Sequence, residues 1–308
     1  MKKNILLLGG TGFLGKNIVE KLIESNHRLI LIVRDSKKAL NFFNDESISL
    51  IEGDLSDLIL IDKTIEEYDV NLVIHLISNL IPSSLEKDFN NELKDVITPT
   101  FKLLGLLSDK KIKVIYFSSG GTIYGASENI ISENSILNPI NYYGYSKLMI
   151  ENYIFYLNRT KNLSFLILRP SNVYGKYQKL DSKQGFIAVA LNKALSNETI
   201  EIWGDGNVVR DYIDVIDVSN GLNELINMDA SDTILNIGTG KGSSLNDILS
   251  MIEKNLKIDL KINYKNKRKV DVNKVILNIN KIKEVIGFTP KDLTIGLENF
   301  ISIIKKTH

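Results

Sequence analysis

Tyr143 and Lys147 are the residues of this sequence whose types and spacing best fit a chemical step. Positions i and i+4 of a helix share one face, so the Lys147 ammonium can lie beside whatever the Tyr143 phenol contacts. A free tyrosine has a pKa of about 10 and is a poor base at neutral pH, but a nearby cation would lower that pKa. The pair therefore predicts proton exchange with a hydroxyl group. Because the spacing also arises by chance, the prediction requires a nucleotide site upstream.

A glycine-rich loop near the N-terminus supplies that site. Gly9, Gly12 and Gly15 follow a short apolar run and open a segment with helical apolar spacing. Glycines at these points allow a sharp turn, a close approach of the backbone to a pyrophosphate, and placement of its charge at a helix N-terminus. Between a strand and a helix, this pattern predicts a dinucleotide site. An oxidised nicotinamide near Tyr143 would reinforce the effect of Lys147 on the phenol.

The end of the second predicted strand bears on the choice of dinucleotide. An acidic residue there usually bonds the adenosine ribose hydroxyls. Counting from His27, that position is Val33, and Arg34 and Asp35 follow it. Arg34 could hold the 2′-phosphate of NADP or stack on the adenine, and Asp35 could reach the ribose after a one-residue shift. The residues alone leave the choice between NAD and NADP open.

The elements that must position these residues alternate between strands and helices. Such alternation predicts an α/β protein with a Rossmann-type, doubly wound parallel sheet that is covered on both faces. The predicted strands are 4–8, 29–33, 48–51, 72–77, 113–117 and 165–168, and the predicted helices are 13–25, 92–107 and 142–157.

After Arg169-Pro170 the pattern becomes shorter and mixed. We expect residues 1–169 to form a NAD(P)-binding Rossmann domain and residues 170–308 a smaller mixed α/β substrate-binding domain, with segments near 210–240 returning to the first. The ligand should lie between the two. The predicted helices of this half are 186–195, 214–227, 244–256, 281–286 and 293–305, and its strands are 200–203 and 234–237.

Composition limits the class of protein. The 308 residues are 24% charged and 44% hydrophobic, which is ordinary for a globular protein. A net charge of +1 without a long block of one sign argues against nucleic-acid or membrane-surface partners. The absence of cysteine excludes thiolate catalysis and thiolate zinc sites, and three histidines without clustered carboxylates predict no metal site. No apolar run approaches the ~18 residues of a membrane helix, so we expect a cytoplasmic protein.

Five ordered motifs together resemble the extended short-chain dehydrogenase/reductase superfamily. The resemblance is strongest to its NAD-dependent nucleotide-sugar epimerase/dehydratase family, of the UDP-galactose/UDP-glucose 4-epimerase type, and it covers essentially the whole chain. It implies NAD as the cofactor, a nucleotide-diphosphate sugar bound by residues 170–308, and a homodimer. The motifs are the glycine loop, Gly53-Asp54-Leu55, residues 118–125 (SSGGTIYG), the Tyr143 and Lys147 pair, and Arg210-Asp211-Tyr212-Ile213.

The resemblance also implies which residues contact the cofactor. Asp54 and Leu55 would border the adenine, and Leu76 to Ser78 would line the dinucleotide. His75 lies beside them, but a histidine at a strand end is expected to be structural rather than a general base. The full set of implied cofactor contacts is Gly9, Thr11, Gly12, Phe13, Leu14, Gly15, Arg34, Asp54, Leu55, Leu76, Ser78, Ser118, Tyr143, Lys147 and Pro170.

One expected catalytic hydroxyl is missing from its position. The family carries a Ser or Thr near the end of the fifth strand that bonds the sugar hydroxyl being oxidised, and alignment from Tyr124 places Gly120 there. Ser119 and Thr122 flank the gap, and either hydroxyl could substitute, directly or through a water. Dehydratases of the family carry an acidic pair beside this position. Gly121-Thr122 stands there instead, which disfavours dehydration.

The resemblance extends to the substrate side. Asn172 matches a diphosphate-contacting Asn, and Arg210 and Arg268 match two phosphate-gripping arginines, with Asp271 three residues after Arg268. Guanidinium groups bond a diphosphate bidentately. Trp203, the only Trp, falls where the family stacks an aromatic ring near the base, although a core Trp fits the sequence equally well.

These features predict a nucleotide-sugar 4-epimerase that acts on a UDP- or dTDP-hexose. Tyr143 would take the proton of the 4-hydroxyl as hydride passes to the nicotinamide, and the 4-keto sugar would turn before the hydride returns. An NADPH-dependent reductase of a 4-keto-6-deoxy nucleotide sugar is the alternative, favoured by Val33-Arg34. A non-catalytic NAD(P)-binding module is the third hypothesis, against which the retained Tyr143 and Lys147 argue.

Overall fold

The computed structural model describes residues 2–127, 129–182, 184–266 and 273–307. Its strands are β1 (Asn4–Leu8), β2 (Arg28–Val33), β3 (Ile48–Glu52), β4 (Leu72–His75), β5 (Lys113–Phe117), β6 (Phe165–Pro170), β7 (Asn172–Tyr174), β8 (Ile200–Trp203), β9 (Val209–Arg210), β10 (Tyr212–Asp214), β11 (Thr233–Ile237), β12 (Ser243–Ser244), β13 (Ile262–Lys265) and β14 (Lys274–Val275). Its α-helices are α1 (Phe13–Glu24), α2 (Ser36–Leu40), α3 (Leu58–Glu67), α4 (Glu86–Glu92), α5 (Thr98–Asp109), α6 (Tyr142–Lys161), α7 (Phe186–Leu195), α8 (Val215–Asn227), α9 (Leu245–Leu256), α10 (Asn280–Ile286) and α11 (Leu293–Thr307).

A parallel sheet organises the larger part of the molecule. Within the described residues it has seven strands in the order β11, β6, β5, β4, β1, β2, β3. The reversal of strand order beside β1 is the topology that places ligands at the carboxyl ends of the strands. The predicted Rossmann-type parallel sheet is thereby confirmed.

The strands of this sheet are apolar on both faces because helices cover both. Side chains alternate along β1, so Ile5 and Leu7 join one core and Leu6 and Leu8 the other. Helices α1 and α8 pack together over the first core. Helices α3, α5 and α6 cover the second. This packing fixes α6, the helix that carries Tyr143, against the sheet.

A third core is formed by α7, β8, α9 and α11, and these elements are here called the second domain. Its sheets are small: β7 pairs with β10, β8 with β13, and β9 with β12 and β14. The chain does not stay in this domain after residue 170. Strand β11 completes the main sheet beside β6, and α8 packs on α1.

The segment predicted as one helix over 92–107 is divided in the structure. Helix α4 ends at Glu92, a π-helical turn spans Leu93–Ile97, and α5 begins at Thr98. Pro99 stands in the first turn of α5, where its missing N–H costs nothing. The apolar spacing continues through all three segments, so it does not reveal the division.

Helix α3 was absent from the predicted elements. Its first residues, Leu58-Ile59-Leu60-Ile61, are a continuous apolar run that does not show helical periodicity. The start signal is Asp57, whose side chain accepts a hydrogen bond from the Leu60 N–H at 3.0 Å. Across the described residues, no helix is both long and apolar enough to cross a bilayer.

Candidate active site

A cleft of about 1240 Å³ runs along the carboxyl ends of the main sheet and continues into the second domain. It brings together most of the residues that the sequence pointed to. From the predicted sites, the cleft is lined by Gly9, Thr11, Gly12, Phe13, Leu14, Gly15, Arg34, Leu76, Ser78, Ser118, Ser119, Thr122, Tyr143, Lys147, Pro170, Asn172 and Arg210.

The glycine loop connects β1 to α1 at one end of the cleft. Gly9 adopts a φ of +89°, a conformation that side chains disfavour. A Cβ atom at Gly15 would lie 2.3 Å from the Gly9 carbonyl oxygen, so only glycine allows this approach of loop and helix. The first turn of α1 carries no acidic side chain, which leaves its positive end available to an anion. The loop fits a dinucleotide diphosphate.

Two basic residues and an acidic one follow β2 at the same end. Arg34, Asp35 and Lys38 all line the cleft. Asp35 caps α2, because its Oδ1 accepts a hydrogen bond from the Lys38 N–H at 2.9 Å. One carboxylate oxygen of Asp35 is therefore engaged in the fold.

Asp54 and Leu55, which were predicted to border the adenine, are not among the residues that line the cleft. Leu55 is buried in the core beneath the sheet, and the Asp54 carboxylate accepts a hydrogen bond from the Ser56 N–H at 2.9 Å. The reason is topological: they follow β3, the edge strand of the sheet, two strands away from the glycine loop on β1.

Tyr143 and Lys147 stand on the first turns of α6 and face the cleft. The side chain of Asn141 caps this helix by accepting from the Gly144 N–H at 2.8 Å. Lys147 is buried, and its Nζ donates to the Phe117 carbonyl at 3.0 Å. The same Nζ lies 5.6 Å from the centre of the Tyr143 ring. The ammonium thus sits beneath the phenol with donor capacity left for a ligand.

The pKa values of this pair differ from the expectation that a nearby Lys147, reinforced by an oxidised nicotinamide, lowers the pKa of Tyr143. Burial raises the pKa of Tyr143 to about 12, a hydrogen bond with Ser119 opposes this, and the charge of Glu92 adds to it. Burial lowers the pKa of Lys147 to about 8, against the charges of Glu92 and Glu151. The ammonium points at a carbonyl rather than at the phenol oxygen, so the phenol of the protein alone is neutral.

Gly120 does not face the cleft. A Cβ atom there would lie 2.5 Å from Leu277 and 2.8 Å from the Arg169 carbonyl oxygen, so this residue is packed into the interior. Ser119 and Thr122 line the cleft instead. Thr122 Oγ1 donates to Ser119 Oγ at 2.9 Å, and the Ser119 hydroxyl opposes the rise in the pKa of Tyr143. Three hydroxyls are therefore grouped in the cleft beside Gly120, the position where the expected hydroxyl is missing from the sequence.

Ser118, Leu76 and Ser78 form the wall between the two ends. Ser118 Oγ is buried and has no hydrogen-bond partner within the described part of the chain, so it is free to bond a ligand. His75 lies beneath this wall, outside the cleft lining. Its Nε2 is 2.9 Å from Thr100 Oγ1, and burial lowers its pKa to about 3. A neutral, enclosed imidazole is a structural residue.

Of the predicted substrate-binding residues, Asn172 and Arg210 line the cleft. Asn172 Nδ2 donates to the Asp211 carbonyl at 2.9 Å, which fixes its amide plane. Trp203 is 38% exposed, does not line the cleft and has the Lys265 Nζ 5.4 Å from its ring centre. Arg268 and Asp271 lie outside the described residues.

Other lining residues escaped the sequence analysis. They come from the connection between β7 and α7 and from the approach to β9, where no recognisable motif occurs. A signal was present in the polar composition of residues 177–184, directly after Asn172-Val173-Tyr174-Gly175. The additional residues at this end are Tyr177, Gln178, Lys179, Ser182, Gln184, Phe186 and Val208.

Comparison with known proteins gives consistent relatives. Residues 5–238 match the model of the NAD-dependent epimerase/dehydratase family. A putative UDP-glucose 4-epimerase of Methanocaldococcus jannaschii is 32% identical over 99% of both chains. A dTDP-4-dehydro-6-deoxyglucose reductase of Escherichia coli is 29% identical over 99% of this chain and 98% of its own. The crystal structure of a Thermotoga maritima UDP-glucose 4-epimerase with UDP-glucose superposes with a TM-score of 0.90, at 31% identity and 99% coverage of both chains.

Proposed function

This chain belongs to the NAD-dependent epimerase/dehydratase family, and from that premise we propose that it is a nucleotide-sugar 4-epimerase acting on a UDP- or dTDP-hexose. The observation that carries the proposal is the grouping of the Thr122, Ser119 and Tyr143 hydroxyls with Lys147 in the cleft. It lies in one cleft between an anion-binding glycine loop and the Asn172 and Arg210 pair. The two relatives named as UDP-glucose 4-epimerases support the same activity.

The glycine loop end of the cleft fits NAD. Backbone N–H groups at the start of α1 would hold the diphosphate, and Ser118 and Lys147 would bond the nicotinamide half. When bound there, NAD supplies the hydride acceptor and a positive charge next to Tyr143. That charge is what the phenol needs, because burial has raised its pKa to about 12.

The residues of the chain would transfer the proton and bind the substrate. Tyr143 takes the proton of the sugar 4-hydroxyl, and Ser119 holds the phenol and sugar oxygens in line. Asn172 and Arg210 hold the diphosphate, so the 4-keto sugar can turn about its linkage without leaving the cleft. Tyr143 returns the proton to the C4 oxygen when the sugar is reduced on its other face. The net reaction moves no proton or electron to solvent.

A homodimer is part of the proposal. Tyr145 and Tyr156 on α6 are each about half exposed, at 49% and 51%. Tyr156 continues a stack in which Tyr153 lies 4.3 Å from Phe101 on α5. Exposed aromatic rings on α6, which packs beside the partly buried Phe101 of α5, favour burial against a second copy of the same face.

The reductase is the second candidate, because Arg34 and Lys38 bring positive charge to the end of β2 and because the E. coli relative is named as a dTDP-4-dehydro-6-deoxyglucose reductase. In that reaction Tyr143 would donate a proton to the 4-keto oxygen. A reductase must release its oxidised dinucleotide after each turnover, whereas an epimerase regenerates it in place.

One experiment separates the two. Purified protein is first analysed by mass spectrometry for a retained dinucleotide, then incubated with UDP-glucose and dTDP-glucose, and the products are read by NMR for C4 epimers. The proposal expects retained NAD, C4 epimers without added reductant, and no epimers with Tyr143→Phe. Consumption of NADPH with a 4-keto-6-deoxy sugar, and no epimer from either substrate, would instead establish the reductase.

A further inference from the structure

Glu92 is a buried acidic residue beside the candidate site that the proposed reaction leaves without a role. It is the last residue of α4, its side chain is 1% exposed, and it is not among the residues that line the cleft. Removing a carboxylate from water is costly unless its hydrogen bonds and its charge are both matched. Its surroundings should therefore contain both kinds of partner.

Two hydrogen bonds tie the Glu92 carboxylate to the loop after β4. Oε1 accepts from the Ser78 hydroxyl at 2.9 Å, and Oε2 accepts from the Asn79 N–H at 2.9 Å. Because Ser78 lines the cleft, Glu92 holds one wall of the cleft from behind. Both donors are neutral, so these bonds leave the negative charge itself unmatched.

Lys147 is the cation whose protonated form the Glu92 charge favours. Among residues 2–127, 129–182, 184–266 and 273–307, Glu92 forms no ion pair within 4.0 Å. Burial lowers the pKa of Lys147 to about 8, and Glu92 is the larger of the two charges that oppose this. The other charge, Glu151, is neutralised by Arg169, which bonds it bidentately at 3.0 and 2.5 Å.

The remaining groups around Lys147 carry no charge near neutral pH. Burial raises the pKa of both Tyr116 and Tyr143 and lowers the pKa of His75 to about 3. One ammonium and one unmatched carboxylate remain. The groups that face Lys147 are His75 on β4, Glu92 on α4, Tyr116 on β5, and Tyr143 and Glu151 on α6, with Arg169 on β6 behind Glu151.

The position of α4 is fixed from the side of α6. The Phe89 ring stacks on Tyr142, with ring centres 5.1 Å apart and an angle of 24° between the planes. Phe89 and Glu92 are three residues apart and share a helix face. That face therefore brings an aromatic anchor to Tyr142 and a carboxylate to the neighbourhood of Tyr143 and Lys147.

We propose that Glu92 is a positioning residue, which supplies the negative charge that balances the Lys147 ammonium and holds the Ser78 wall of the cleft. The inference rests on the proposed function only in that Lys147 bonds the ribose of a nicotinamide dinucleotide. Glu92 itself touches neither the dinucleotide nor the sugar. It acts by keeping Lys147 charged at the pH where the site works.

The pH dependence of NADH binding tests this role without turnover. Dissociation constants are measured by fluorescence titration from about pH 6 to pH 10 for the wild type, Glu92→Gln and Ser78→Ala. Wild-type affinity should be constant at low pH and weaken above about pH 8, as Lys147 loses its proton. Glu92→Gln keeps the shape and removes the charge; its amide oxygen can accept from the Asn79 N–H while its NH2 group donates to Ser78 Oγ. The pH above which affinity weakens is here called the break. In Glu92→Gln the break should move down by about one pH unit, which makes binding at pH 8 about fivefold weaker than in the wild type.

Matched variants distinguish charge from structure. Ser78→Ala keeps the charge of Glu92 and removes one of its bonds, so it should weaken binding by one factor at every pH and leave the break in place. Lys147→Arg replaces the ammonium by a cation that does not titrate in this range, and the break should disappear. Glu92→Met, apolar and of similar volume, should shift the break as Glu92→Gln does, and it serves if the Gln variant does not fold.

A folded Glu92→Gln protein whose NADH binding is weaker by the same factor at every pH would overturn the proposal. Glu92 would then only hold the loop after β4 in place. A break that shifts as expected in a protein that produces no C4 epimer would leave this inference standing and remove the proposed epimerase activity. Because binding and turnover are read separately, the two failures are distinguishable.

Discussion

Ser119 and Thr122 present two hydroxyls in the cleft with the phenol, and their roles differ. Ser119 lowers the pKa of Tyr143, whereas Thr122 donates its hydrogen bond to Ser119. We expect Ser119→Ala to lower kcat by about 100-fold, as for loss of a group in proton transfer. Because the Ser119 bond lowers the pKa of Tyr143, its loss should also move the acid limb of the pH–rate profile upward. Thr122→Ala is the control and should cost less than about 10-fold.

The pH–rate profiles of the two variants, measured with the same UDP-sugar, are the comparison that matters. A larger loss for Thr122→Ala than for Ser119→Ala would assign the proton-bearing hydroxyl to Thr122.

His75 makes a second residue-scale prediction, which concerns stability rather than rate. Its folded pKa is about 3, against an ordinary value of about 6.5, because burial disfavours the charged ring. Stability from the neutral ring is complete above pH 6.5 and declines as the pH falls toward 3, since only the unfolded state takes up the proton. At pH 5 the loss should be about 2 kcal/mol.

Urea unfolding at pH 7 and pH 5 measures this loss for the wild type and for His75→Gln. His27, whose pKa burial also lowers, is present in both proteins and cancels in the difference. The wild type should lose about 2 kcal/mol more than His75→Gln between the two pH values. Equal losses would mean that His75 is charged in the folded protein at pH 5.

The sequence predicted those site residues whose types and spacing alone indicate a function. Tyr143, Lys147 and the glycine loop each follow from spacing alone, and the structure places them on one cleft. Gly120 shows the limit of such local prediction. Counting back from Tyr124 places Gly120 where the family carries a catalytic Ser or Thr, but Gly120 packs against Leu277. Leu277 is far away in the sequence, and that contact cannot be read from a local motif.

At the scale of elements, β6 and α6 are joined by the buried pair of Arg169 and Glu151. Both side chains are almost completely buried, and the guanidinium also donates to Tyr124 Oη at 2.9 Å. Removing one partner leaves an uncompensated charge in the interior, so Glu151→Gln should lower the free energy of unfolding by about 3 kcal/mol or more. The same loss should loosen α6, which carries Tyr143.

Lys161 and Asp109 provide a matched control at the far end of α6. Their 3.0 Å pair joins α6 to α5 but is about half exposed, with side-chain exposures of 48% and 66%. Asp109→Asn should change the free energy of unfolding by less than about 1 kcal/mol. Chemical denaturation of both variants gives the comparison. Equal effects would show that burial is not what gives the Arg169 pair its importance.

Strands were easier to place from the sequence than the divisions within helical segments. The strand Lys113–Phe117 agrees residue for residue with the prediction, because buried parallel strands are short apolar runs. The π-helical turn Leu93–Ile97 was missed, since the apolar spacing hardly changes across it. Glu92 directly precedes that turn, and its position beside the candidate site was not predicted from the sequence either.

For the whole molecule, alternation of elements predicted the sheet, but not which loops close the cleft. Tyr177, Gln178, Lys179, Ser182 and Gln184 line the cleft because the second domain packs against the carboxyl ends of the main sheet. Trp203 is the opposite case: its type suggested either base stacking or a core position, and on β8 it is partly exposed and does not line the cleft. Long-range packing decides both cases.

The last prediction concerns assembly through the face of α5 and α6 on which Tyr145 and Tyr156 are exposed. If two copies bury this face, Tyr156→Glu introduces two buried like charges around the symmetry axis and should convert the dimer to monomer. Light scattering after size exclusion measures the mass directly. Ile295→Glu is the control, because Ile295 is similarly exposed at 52% but lies on α11 of the second domain. A wild-type protein of 34.7 kDa in solution, or a dimer that survives Tyr156→Glu, would contradict an interface through α5 and α6.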